Sequence, residues 1–186
     1  RPGFQVVLTL DARVQWILEE ELARILEEVG GKGATAVAMD PATGEILGLA
    51  SLPSYDPQNL ASYPKETWHH RAVETVLEPG STFKPIVVAA ALQAGVVRPD
   101  SLVDCSGGGV QVAGFFIRDH ARYGILPLAQ VLSFSSNAGA IRLALRTPAT
   151  TLDETIQAFG FGKTTGVELP AESPGLYRPL SSRSWS

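Results

Sequence analysis

The stretch Glu78-Pro79-Gly80-Ser81-Thr82-Phe83-Lys84-Pro85 constrains this chain more than any other, together with the Ala-rich apolar run Ile86–Ala94 and the Gly95 that closes it. A run that is apolar all round predicts a helix buried in a core. Gly95 is its stop signal. Proline has no N–H to donate and is tolerated only in a first helical turn, so Pro85 fixes the other end. The helix must start close to Ser81, with Pro79-Gly80 as the break before it. Ser81 is thereby placed at a helix N-terminus, with Lys84 three residues on over the same face.

That pair supports two readings. In one, Ser81 caps the helix and Lys84 is a solvated first-turn side chain. In the other, the pair is catalytic. A serine hydroxyl is a weak nucleophile until a neighbouring base takes its proton. A lysine buried beside an apolar helix is pushed toward its neutral form and can act as that base. The helix N-terminus adds unpaired N–H groups and a partial positive charge near a developing oxyanion.

A second polar element lies about fifty residues on. Ser133-Phe134-Ser135-Ser136-Asn137-Ala138-Gly139 separates two apolar runs, Leu126–Leu132 and Ala140–Leu145, both expected to be helical. Ser136 or Asn137 can open the second helix as its N-cap. Capping and catalysis are compatible here, because one side chain can cap while its neighbour faces a cleft.

Together these residues resemble the penicillin-binding protein transpeptidases, of the penicillin-recognising serine acyltransferase superfamily. Glu78–Lys84 is similar to the family's active-site Ser-x-x-Lys in its usual setting, and Ser135-Ser136-Asn137 to its Ser-x-Asn motif. Weaker matches are Leu8-Thr9-Leu10-Asp11, Asp40–Leu47, Phe159-Gly160-Phe161-Gly162 and Leu169-Pro170. One departure stands out. The family's third motif, Lys-Thr-Gly, is not found; Lys163-Thr164-Thr165-Gly166 comes too soon after Asn137 and reads as a surface turn. The chain is therefore expected to be the N-terminal portion, residues 1–186, of a single transpeptidase domain, incomplete at the C-terminus. Its start at Arg1-Pro2-Gly3 is read as an interior start.

The resemblance implies an α/β (α+β) fold of the β-lactamase/transpeptidase kind, with a helical subdomain carrying both motifs against an antiparallel sheet. It implies a peptidoglycan D,D-transpeptidase, with Ser81 as nucleophile, Lys84 as its base and Ser135 as a proton relay to the leaving amine. Asn137 would bind the substrate's acyl-chain amide and help position Lys84. The Ser81 backbone N–H would supply half of the oxyanion hole. The implied partners are peptidoglycan stem peptides ending in D-Ala-D-Ala, β-lactam antibiotics as covalent inhibitors, and other cell-wall synthesis proteins. No metal and no organic cofactor is implied. The implied location is the extracytoplasmic face of the bacterial inner membrane, anchored by a segment outside this chain. A β-lactamase, a β-lactam sensor domain or an inactive scaffold would share the motifs.

Composition bounds the alternatives. The chain has 186 residues, 45% of them hydrophobic and 18% charged, enough for a sizeable core. Net charge is −4 and no basic cluster is present, which argues against nucleic acid as a partner. Cys105 is the single cysteine, so no intrachain disulfide forms, and it reads as incidental. His69, His70 and His120 lack metal-ligand spacing. His120 follows Asp119, which invites a charge-relay reading, but Lys84 already supplies a base. No apolar stretch is long enough to span a bilayer, and no signal peptide is visible.

The remaining elements follow from local signals. Asp11 should cap a helix running to about Val29 with Gly30 as its stop, burying Val14, Ile17, Leu18, Leu22, Ile25, Leu26 and Val29 on one face. Ala34–Met39 and Glu45–Ala50 should form a hairpin around Asp40–Gly44, with small residues that allow close helix packing. Leu52–Tyr63 reads as a loop, and Val110–Ile117 as a short hairpin. A last helix, Thr151–Phe159, is expected to carry a capping box from Thr150 or Thr151 to Glu154.

Overall fold

The computed structural model of the chain describes residues 3–181. The Arg1-Pro2 start and the residues after Ser181 lie outside the described residues. These gather into two compact units. One runs as far as Val76 and includes Val167–Ser173; the other holds Leu77–Gly166 and the residues from Pro174 on.

In the first unit, Asp11 opens helix α1 (Ala12–Val29) as expected: its Oδ1 accepts from the N–H groups of Arg13 and Val14. Gly30 ends the helix in the left-handed conformation. Strands β1 (Ala34–Met39) and β2 (Ile46–Leu52) pair antiparallel around the Asp40–Gly44 turn. α1 lies close on β2, with Val14 and Leu18 directly over Gly48. The Gln15 amide clasps Leu49, donating to its C=O at 3.1 Å and accepting from its N–H at 2.8 Å.

The apolar stripe of α1 is less buried than its periodicity implies. Leu22 is buried, whereas Ile17, Ile25 and Val29 stay 51%, 45% and 69% exposed. A two-stranded ribbon is narrower than a seven-residue stripe and covers only its centre. Past β2, the expected loop contains a 3₁₀ turn at Pro57–Ser62 opened by Asp56, and α2 (Arg71–Glu74) follows.

The second unit carries both motifs. A 3₁₀ turn, Gly80–Phe83, leads straight into α3 (Lys84–Gln93). At the far end, Gly95 donates to the Leu92 carbonyl and Val96 to the Ala91 carbonyl, the paired bonds of a Schellman stop. β3 (Leu102–Asp104) pairs with β6 (Ile125–Pro127), and between them β4 (Gly109–Val112) pairs with β5 (Phe115–Arg118). Then come α4 (Leu128–Ser133), α5 (Asn137–Arg146) and α6 (Ala149–Ala158). One core joins α3, the β3–β6 ribbon, α4 and α5: Val87, Val88 and Ala91 of α3, Val103 and Leu126 of the ribbon, Leu128 and Val131 of α4, Leu143 of α5, and Cys105.

Two boundaries differ from expectation. Leu126 belongs to a strand and not to the helix that follows, because Pro127 is extended at ψ 146° and the helix begins only after it. α6 starts at Ala149, directly after Pro148, so no capping box forms; Thr150 and Thr151 lie inside the first turn, where Thr151 gives its carbonyl to the Thr155 hydroxyl at 2.7 Å. The architecture is the expected mixed α/β class, with helices and small antiparallel sheets. No helix among the described residues is long and apolar enough to cross a membrane.

Candidate active site

The site begins with a backbone constraint. Gly80 has φ 57°, a left-handed conformation that glycine adopts without strain, and a side chain here would find open space. Glycine at this position is a requirement of the backbone turn, which swings the chain from Pro79 into the 3₁₀ turn and presents Ser81 on its exposed side. Lys84 is the first residue of α3 and is buried, at 9% exposure. In a 3₁₀ turn side chains three residues apart are nearly eclipsed, so Ser81 and Lys84 stand one turn apart along one face. The Ser81 hydroxyl makes no hydrogen bond among the described residues.

Lys84 instead reaches the second motif. Its Nζ donates to the Ser135 hydroxyl at 2.8 Å and to the Ser135 carbonyl at 2.5 Å, across 51 positions of sequence. Burial holds the Lys84 ammonium below the ordinary lysine range, and the negative charge of Asp119 works weakly against that.

Ser135 ends α4 in an unusual way. Its N–H donates to the Leu132 carbonyl and the Ser136 N–H to the Val131 carbonyl, a Schellman stop in which Ser135 occupies the left-handed position at φ 53°. Glycine is the normal occupant of that position. Phe134 before it stacks on Tyr123 with centroids 5.7 Å apart.

Ser136 is fully buried and caps α5, accepting from the Gly139 N–H at 3.0 Å, as one reading of the sequence anticipated. Its hydroxyl donates to Asp119 Oδ2 at 2.8 Å. The Asn137 side chain donates to the Arg118 carbonyl at 2.7 Å. Among the described residues the Lys84 ammonium is hydrogen-bonded to Ser135 and not to the Asn137 side chain. Gly80, Phe83, Lys84, Val87, Asn137 and Ala140 line one shallow cleft of about 170 Å³.

Gly139 explains why α5 can lie where it does. A Cβ there would stand 2.8 Å from Cys105 Sγ and 2.8 Å from a Val131 methyl. Arg142 fastens the same helix to the ribbon, donating to the carbonyls of Asp104 at 2.6 Å and Ser106 at 3.0 Å.

The chain matches the penicillin-binding protein transpeptidase domain over residues 34–185. It belongs to that family. Peptidoglycan D,D-transpeptidase FtsI of Escherichia coli (strain K12) is 42% identical over 181 residues, which are 97% of this chain and 30% of that protein. Stage V sporulation protein D of Bacillus subtilis is 36% identical over 185 residues. The chain therefore spans about 30% of the length of the curated relatives it matches. Among solved structures, a peptidoglycan glycosyltransferase from Burkholderia ambifaria superposes with a TM-score of 0.81 at 30% identity, covering 97% of this chain and 52% of that one. The transpeptidase domain of Burkholderia pseudomallei penicillin-binding protein 3 gives 0.78, also at 30% identity.

Of the residues singled out in this penicillin-binding protein domain, Lys84 and Ser135 are in direct contact, and Asn137 shares the cleft with Lys84. His120 is exposed and makes no side-chain hydrogen bond among the described residues. Lys163 is exposed in a turn closed by its N–H on the Gly160 carbonyl. Cys105 is buried in the core, where loss of solvent pushes its thiol upward, away from nucleophilic use. Asp119 is the residue that sequence reasoning passed over. Its place beside His120 was visible, but its partners lie 17 to 19 positions downstream.

A larger cavity, about 400 Å³, lies in the first unit, lined by Leu49, Pro53, Tyr55, Trp68 and His70 among others. None of the motif residues lines it.

Proposed function

We propose that the protein carrying this chain is a peptidoglycan D,D-transpeptidase that cross-links the bacterial cell wall and binds β-lactams at the same serine. The same reading takes residues 1–186 as a portion of one such domain. The observation that carries it is the buried Lys84 ammonium hydrogen-bonded to Ser135, one turn after the exposed Ser81, in a chain of this family.

Ser81 Oγ attacks the carbonyl carbon joining the two terminal D-alanines, and its proton passes to neutral Lys84. The tetrahedral oxyanion collapses, the C–N bond breaks, and the released D-alanine amine takes a proton delivered through the Ser135 hydroxyl, which Lys84 holds at 2.8 Å. The acyl-enzyme ester on Ser81 is then attacked by an amino group of a neighbouring stem peptide, with Lys84 and Ser135 moving the proton in reverse. Asn137 uses one amide hydrogen on the Arg118 carbonyl, which leaves its Oδ1 and second N–H for the amide of the acyl chain. A β-lactam presents a strained amide in the place of the D-Ala-D-Ala bond and acylates the same oxygen. Such an enzyme works with other cell-wall synthesis proteins, on the extracytoplasmic side of the inner membrane.

Labelling with a fluorescent penicillin, followed by peptide mapping of the full-length protein, tests this reading. The label is expected on the peptide containing Ser81 and is expected to vanish in Ser81→Ala. Attachment elsewhere, or undiminished labelling of the variant, would overturn the assignment. Rapid release of the label would instead favour a β-lactamase.

A further inference from the structure

Asp119 has no part in the proton transfers just described, yet its carboxylate organises most of the second motif. Oδ1 accepts from the backbone N–H of Asn137, in a short contact, and from that of Ala138 at 3.1 Å. Oδ2 accepts the proton of the buried Ser136 hydroxyl at 2.8 Å. Two of these donors are first-turn N–H groups of α5, which have no partner inside the helix and which favour a negative charge at that end. The carbonyl of Arg118, one residue earlier at the end of β5, receives the Asn137 side chain. Two consecutive residues thus hold Asn137 by its backbone and its side chain. The carboxylate also fixes the orientation of the Ser136 hydroxyl, whose lone pair caps α5.

We propose that Asp119 is a positioning residue for transpeptidation. It locks the corner from Ser135 to Ala138, so that Ser135 meets Lys84 and Asn137 faces the cleft. This rests on the reading of Ser81 as nucleophile. Ser135 follows Phe134 out of α4 in a left-handed conformation, and among the described residues its hydroxyl is hydrogen-bonded to Lys84 alone, so its placement depends on the α4 stop before it and on the pinned residues after it.

The charge of Asp119 adds a consequence that packing alone would not. Among the described residues Asp119 is the charged group that acts through space on Lys84, where it favours the protonated form against the larger effect of burial. Arg118 and His120 flank Asp119 in the chain. Arg142 on α5 and Asp104 on β3 are the other charges at this corner, and they act with Asp119 on Cys105.

The test compares Ser81→Ala, Asp119→Asn and Asp119→Glu in the full-length protein, using penicillin acylation rates across pH and thermal melting. Asparagine keeps an oxygen for the two N–H donors but cannot accept the Ser136 proton on its amide nitrogen. It also removes the charge that helps keep Lys84 protonated. Asp119→Asn is expected to fold, to acylate roughly 10²-fold more slowly, the scale of an ångström-sized misplacement of a catalytic group, and to move the rising limb of its pH–rate profile to lower pH. Asp119→Glu keeps the charge but is one methylene too long; it is expected to lose rate while retaining the wild-type limb. A rate loss in Asp119→Asn with an unmoved limb overturns the proposal in favour of a purely structural role. Acylation within about twofold of wild type in Asp119→Asn overturns it outright. If Asp119→Asn does not fold, Asp119→Glu decides, and a wild-type rate there counts against the proposal. Should Ser81→Ala still be labelled, the reading of the nucleophile has failed, and the roles of the two residues are separated by that arm.

Discussion

Ser135 sits where the end of α4 calls for glycine. At φ 53° it occupies the left-handed position of a Schellman stop, a conformation that costs a non-glycine residue on the order of 1 kcal/mol or more. The hydroxyl on Lys84 is what that cost supports. The two contributions can be separated by experiment. Ser135→Ala and Ser135→Gly both remove the hydroxyl, so both are expected to lose acylation by a similar factor, about 10²-fold or more. Only glycine relieves the backbone, so Ser135→Gly should be the more stable of the pair by about 1 kcal/mol in chemical denaturation. Equal stability would mean that the left-handed conformation carries no strain here. Lys84 invites a second test. Arginine keeps the charge but cannot surrender its proton, so Lys84→Arg is expected to slow acylation by roughly 10² to 10⁴. Since burial lowers the Lys84 pKa, the sign is fixed: the neutral base appears as pH rises through a value below 10.5, and the wild-type rate should climb and level off there. A rate that falls over that range, in protein still folded, would contradict the base role.

At the scale of elements, the close contact of α5 with α4 depends on the lack of a side chain at Gly139. Gly139→Ala gains up to about 1 kcal/mol of helix propensity. It also drives a methyl to 2.8 Å from both Cys105 and Val131, in a core with no slack. Overpacking of that kind typically costs about 1–3 kcal/mol, so the steric effect should win. The expected outcome is a melting temperature a few degrees lower, at about 2–4 °C per kcal/mol for a chain of this size, with slower acylation because α5 carries Ser136 and Asn137 with it. An unchanged melting point and rate would show that α5 shifts at no cost. The same elements show what the sequence could and could not reveal. α1 was legible from end to end because Asp11 and Gly30 are local signals acting within a turn of themselves. The β1–β2 hairpin was legible because its strands flank one turn. β3 and β6 were not: each has three residues, too short for a pattern, and they pair across more than twenty positions. α6 was placed two residues late because Pro148, and no threonine, sets its start. Ser81, Lys84, Ser135 and Asn137 were legible only as motifs; the contact between Lys84 and Ser135 is long-range, and so is the grip of Asp119 on α5.

At the scale of the whole second unit, both motifs hang on one core. α3 delivers Lys84, α4 delivers Ser135 and α5 delivers Asn137, and all three helices meet over Val87, Val88, Val131 and Leu143. Leu143 is fully buried on α5 and does not line the cleft. Truncating it removes transfer free energy and leaves a cavity, together about 2–5 kcal/mol for a buried leucine. Because the core is shared, the loss should not stay on α5. In Leu143→Ala, amide hydrogen exchange is expected to quicken across α3, α4 and α5 together, as one cooperative unit. Lys84 and Ser135 would then separate in the same opening that frees α5. Exchange that quickens in α5 alone, with α3 and α4 at their wild-type protection, would mean that the helices open independently. In that case the Lys84–Ser135 hydrogen bond would owe its geometry to the residues next to it, Asp119 foremost, and not to the core beneath.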